Sequence, residues 1–84
     1  MSTTLHTRAH IRLNSQSEVI TFIQELSKYE DEFSIENTQG THRVNAKSVI
    51  GVMYTMMDFP DDMYLVNDTN DGFIPACVDP YRVL

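Results

Sequence analysis

The side chains of this sequence that could do chemistry are three histidines, two serines placed before apolar helical patterns, and a scatter of carboxylates. His6 and His10 stand four apart. On a helix that spacing would suit a metal ion. In an alternating segment the two rings share a face but lie ~13 Å apart along the strand, too far for one ion. Asn67, Thr69, Asp71 and Gly72 imitate the first half of a calcium loop, but Val78 falls where the bidentate glutamate is needed. No serine or cysteine stands in a pattern with a base, and there is no glycine-rich phosphate loop. The expectation is therefore no catalytic residue, no metal, no cofactor and no enzyme. Ser48 is the remaining candidate. A phosphate there would lie where a helix dipole and free amides favour negative charge. The plain alternative is a helix cap worth ~1 kcal/mol.

These residues must be placed by local structure. Residues 5–13 alternate, with Leu5, Ala9, Ile11 and Leu13 on one side and His6, Arg8, His10 and Arg12 on the other, which predicts a half-buried strand. Ser15 and Glu18 make a capping-box pattern. Val19, Phe22, Ile23, Leu26 and Tyr29 then recur at threes and fours, predicting an amphipathic helix over about 16–28. Residues 32–36 alternate as a strand, residues 37–40 turn on Gly40, and residues 41–46 return as its partner. A second helix starts at Ser48 and stops near Phe59-Pro60, because proline disfavours helical geometry before it. Residues 63–66 form a last strand. The tail, residues 72–84, holds Pro75 and Pro80 and is expected to be extended or irregular. The order β-α-β-β-α-β predicts one α+β domain over residues 1–84, a two-layer open-faced sandwich of two helices on a four-stranded antiparallel sheet.

Bulk properties narrow the partners. Eighty-four residues make one domain, and 42% hydrophobic with 21% charged content is globular rather than disordered. The net charge of -6 opposes binding to nucleic acid or anionic membrane. The single cysteine, Cys77, allows no intrachain disulfide. With no apolar run of signal or membrane-spanning length, the expectation is a cytoplasmic protein. The second helix carries Val49, Ile50, Val52, Met53, Tyr54, Met56 and Met57, more apolar surface than one packed face can hold. Part of it must face the tail, a second copy or another protein.

The string Asn45-Ala46-Lys47-Ser48-Val49-Ile50-Gly51-Val52-Met53, together with the element order from about Ala9 to about Val66, resembles the bacterial histidine-containing phosphocarrier family, HPr. In that family the serine of this string is the target of a regulatory kinase, and the apolar residues after it dock partners. The resemblance implies Ser48 as a regulatory phosphoacceptor and Val49, Ile50 and Met53 as partner-binding residues. A serine kinase or a transcription regulator are the partners it implies. The family's phosphocarrier histidine starts the first helix, where this chain has Ser15-Gln16-Ser17. A phosphoserine ester is too stable to relay its phosphoryl group. Leu5-His6-Thr7-Arg8-Ala9 nearly spells the family's active-site string, but it leads into a strand and lacks the proline. The reading is an HPr-like regulatory interaction domain without the carrier histidine, its third helix replaced by an irregular tail. Two alternatives stand beside it: a working phosphocarrier of the sugar phosphotransferase system, and an unmodified interaction or oligomerisation domain.

Overall fold

Alternation at the start of the chain becomes the first strand of the sheet. The computed structural model describes residues 8–69 and 73–83. β1 (Arg8–Ile11) buries Ala9 and Ile11 and turns Arg8 and His10 outward. α1 (Gln16–Leu26) follows, capped by Ser15, whose Oγ accepts from the Glu18 amide at 3.1 Å. Glu18 reaches back to the amide of Asn14, the residue before the cap, at 2.9 Å, so the Ser15 and Glu18 side chains together tie the helix to its entry. The helix ends at Leu26, two residues earlier than its periodicity suggests. There the chain tightens into i→i+3 bonds, Lys28 to Glu25 and Tyr29 to Leu26, which end the helix before the loop to the next strand.

β2 (Phe33–Glu36) and β3 (Arg43–Asn45) form the expected hairpin. Asn37 organises its turn. Its buried Oδ1 accepts from the amides of Thr41 (2.9 Å) and His42 (3.2 Å), and Gly40 takes φ 72°. A side-chain carbonyl that replaces a backbone partner in this way is a common use of asparagine in turns. α2 (Val49–Asp58) and β4 (Met63–Asn67) complete the core elements.

All strand pairs are antiparallel, in the order β1-β4-β2-β3. One sheet face presents Ala9, Ile11, Phe33, Ile35, Met63 and Leu65 to the helices, where Val19, Phe22, Leu26 and Val52 meet them. The other face carries Arg8, His10, Glu36, Arg43 and Tyr64. Glu36 accepts from Arg43 at 2.8 Å, and the Arg8 guanidinium lies 4.3 Å from the Tyr64 ring centroid. The α+β open-faced sandwich is thus the architecture of the chain. Among the described residues no helix is long and apolar enough to cross a membrane.

The tail differs from the expectation of extended or irregular chain. Residues Ala76–Tyr81 form a 3-10 helix. Two prolines forbid a long α-helix, but a helix of two turns tolerates them: Pro75 sits at the cap with φ -61°, and Pro80 removes only one donor. Packing holds it in place. Val78 is fully buried, and Tyr81 meets the edge of Phe22 at 5.4 Å between centroids. Beyond it the chain pairs with β1. Arg12 donates to the Tyr81 carbonyl at 2.8 Å, and Val83 donates to the His10 carbonyl at 2.9 Å.

Candidate functional site

Each residue of the string before α2 has a placing role. Asn45 Oδ1 accepts from the Lys47 amide at 2.8 Å, and the Asn45 carbonyl accepts from Ser48 at 3.0 Å, which turns the chain sharply off β3. Ala46 is fully buried, where a larger side chain would meet the core. The Lys47 ammonium is held by two carbonyls of the α1–β2 loop, Tyr29 at 2.6 Å and Asp31 at 2.9 Å. These contacts fix Ser48 at the N-cap of α2, partly buried, with its Oγ accepting from the Gly51 amide at 3.2 Å. Gly51 permits the close approach. A Cβ there would lie 3.2 Å from Val44 Cβ and 3.3 Å from Ser48 Oγ.

From Ser48 onward α2 shows two different faces. Val52 and Thr55 are fully buried. The Thr55 hydroxyl lies 2.9 Å from the Gly51 carbonyl and 2.7 Å from His42 Nε2, so it is tied both to its own helix and to the β2–β3 turn. The outer face is apolar and open. Ile50 is 69% exposed and Met57 71%, with Val49 and Tyr54 exposed beside them. Positions 50, 53, 54 and 57 follow the i, i+3, i+4, i+7 rule and share one stripe. With Val49 they line a shallow groove of about 250 Å³.

The structure therefore brings together Ser48, Val49, Ile50 and Met53, the residues implied by the resemblance. They are not equivalent. Met53 is half-buried and packs against the core, whereas Ile50 stands free of it. Tyr54 and Met57 belong to the same surface. Their helical spacing was visible in the sequence, but only the sheet decides which apolar residues of α2 turn inward.

The other candidates lie apart from this face. His6, Asp71 and Gly72 fall outside the described residues. Ser15 caps α1. His10 stacks on Tyr64 at 4.6 Å, with Nε2 3.0 Å from the Asp61 carbonyl. Among the described residues no group of three or more His, Cys, Asp and Glu side chains could hold a metal ion. Cys77 lies beside α1. Burial first, and then the charge of Glu25, push its thiol above the ordinary value of 9.0. Burial, then Glu18, likewise raises Tyr81 above 10.0.

Compared with protein-family models, with curated proteins and with solved structures, the chain matches none.

Proposed function

We propose that this protein is an HPr-like regulatory interaction domain rather than a phosphohistidine carrier, that it docks a protein through the outer face of α2, and that phosphorylation of Ser48 controls the docking. One observation carries the reading. The apolar stripe Val49, Ile50, Met53, Tyr54 and Met57 is open along the helix and begins one residue after Ser48. Exposed apolar clusters of this kind mark interaction sites. The net charge of -6 favours a partner whose apolar contact is rimmed by basic residues.

The chemistry at Ser48 follows from its position. A phosphate would bring about two negative charges to the first turn of α2, beside the amides of that turn. For folding this contributes about 0.3–2 kcal/mol, since Ser48 is partly buried. A larger effect falls on binding. The Lys47 ammonium is already committed to two carbonyls, so a lysine or arginine of the partner meets the phosphate. Phosphorylation then tightens the complex. The test is to incubate wild type and Ser48→Ala with ATP and a serine kinase from a host of HPr proteins. The expected result is label on wild type and none on Ser48→Ala. Equal labelling would remove Ser48 from the reading.

A further inference from the structure

The two edges of the sheet are treated differently. The β1 edge is covered by the chain itself at its C-terminal end, where Tyr81 accepts from Arg12 and Val83 donates to His10. The β3 edge is the other end of the strand order. Its backbone polarity can be read from the ladder. Ala46 donates to the Phe33 carbonyl at 3.0 Å and Asn37 donates to the His42 carbonyl at 3.3 Å, so these are hydrogen-bonded pairs of the hairpin. Between them lies the Ile35–Val44 pair in the same register. By the alternation of antiparallel ladders, Val44 points its polar groups at β2 while Arg43 and Asn45 point theirs away from it. The Asn45 carbonyl is used by Ser48. Among the described residues, the Arg43 N–H and C=O and the Asn45 N–H have no backbone partner and remain as a template for another strand.

A concavity of about 670 Å³ opens where this edge meets the α1–β2 loop. Glu30, Asp31, Glu32 and Asp68 line it, against Arg43 and Lys47. Both cations are already engaged. Arg43 pairs with Glu36 and Asp68, and Lys47 binds the Tyr29 and Asp31 carbonyls. Asp31 accepts from Asn67 at 3.0 Å, and Asp68 accepts from Ser34 as well as Arg43. Glu30 and Glu32 are exposed on the rim.

The geometry points to a second docking surface, in which an extended segment of another protein adds a fifth strand beside β3 and places a lysine or arginine in the acidic concavity. Main-chain bonds to Arg43 and Asn45 supply the attachment, and the basic side chain sets the choice of segment. A second copy of this chain fits poorly, because pairing β3 with β3 would bring two acidic rims together in a molecule of net charge -6. This surface is separate from the α2 face, and the inference stands or falls independently of it.

The test is amide NMR of the full chain titrated with two extended peptides of about eight residues. One alternates lysine with valine and threonine; the other has glutamate for lysine. The basic peptide is expected to shift the Arg43 and Asn45 amides saturably, while the acidic peptide leaves them in place. Two variants isolate the backbone contribution. Arg43→Ala and Arg43→Pro lose the same ion pairs, but only proline removes the outward N–H, a substitution that edge strands tolerate. Arg43→Pro should bind the basic peptide about fivefold more weakly than Arg43→Ala, the worth of one hydrogen bond. Glu30→Gln with Glu32→Gln should weaken the same peptide in a chain whose edge is unaltered. Equal binding of both peptides, or shifts that avoid residues 43–45, would overturn the inference. Concentration-dependent shifts at those amides without peptide would also overturn it, in favour of a second copy.

Discussion

α1 and α2 lie on the same sheet face but spend their apolar residues differently. α1 turns Val19, Phe22, Ile23 and Leu26 into the core, and the tail helix packs along its flank with Val78 and Tyr81. Among its large apolar residues only Ile20 is exposed. α2 has Val52 and Thr55 as its buried residues and leaves Val49, Ile50, Tyr54 and Met57 exposed. Two helices of nearly equal length therefore do different work. α1 contributes stability, whereas the outer stripe of α2 contributes little to it and is the face that the proposed function assigns to a partner.

The sharpest way to break this comparison is to cut matched apolar residues from each helix. Phe22→Ala should lower the unfolding free energy by about 3–5 kcal/mol, because it leaves a cavity between the sheet and Tyr81. Ile50→Ala should stay within about 0.5 kcal/mol, the usual range of surface positions. Urea denaturation reads both, and equal losses would mean that Ile50 is core.

Met53 lies between these extremes. Met53→Lys should cost about 1–2 kcal/mol, since the chain can carry the charge outward but loses packing against the core. Loss of partner binding in this variant alone would mix two effects. Met57→Lys is the cleaner probe of the surface, with an expected stability change within about 0.5 kcal/mol.

Ser48→Ala removes the bond to the Gly51 amide and should cost about 1 kcal/mol in the same assay. A loss of 3 kcal/mol or more would show that Ser48 anchors α2 far more than a cap does.

The smallest effect is a pH dependence on the α1 side. Cys77 and Tyr81 both hold their protons more tightly when folded, since burial raises each above its ordinary value. Their contribution is complete below 9.0 and is lost as pH rises through the raised values. The urea midpoint should fall on the alkaline side, and Cys77→Ala should remove the part that begins first. A midpoint that climbs above that pH would contradict the burial assigned to these groups.

Much of the architecture was legible in the sequence because the signals were local. The alternation Ala9, Ile11, Leu13 and the Ser15–Glu18 pair each specify an element within a few residues. The proline at position 60 stops α2 where the structure ends it, at Asp58. The tail was not legible in the same way. Pro75 and Pro80 argue against a long helix, and that holds. The short helix that forms instead depends on burying Val78 against α1 and pairing Arg82 with Ile11, contacts that no local pattern announces. The α2 face was half legible. Seven apolar residues in ten say that some must face outward, but which of Met53, Tyr54 and Met57 do so depends on where β3 and the sheet lie. The motif at Asn45–Ser48 pointed to one serine, and the structure adds a placing role for every residue around it.

The outer face of α2 is proposed to dock another protein. A photo-crosslinking amino acid placed at position 50, and in a parallel chain at position 20 on α1, tests it in the protein's own host. The account predicts a discrete adduct with a second protein from position 50, lost when Met57→Lys is added and stronger when Ser48 is phosphorylated. Position 20 should give no such adduct. Identical adducts from both positions, an adduct indifferent to Met57→Lys, or an adduct made of two copies of this chain would contradict it.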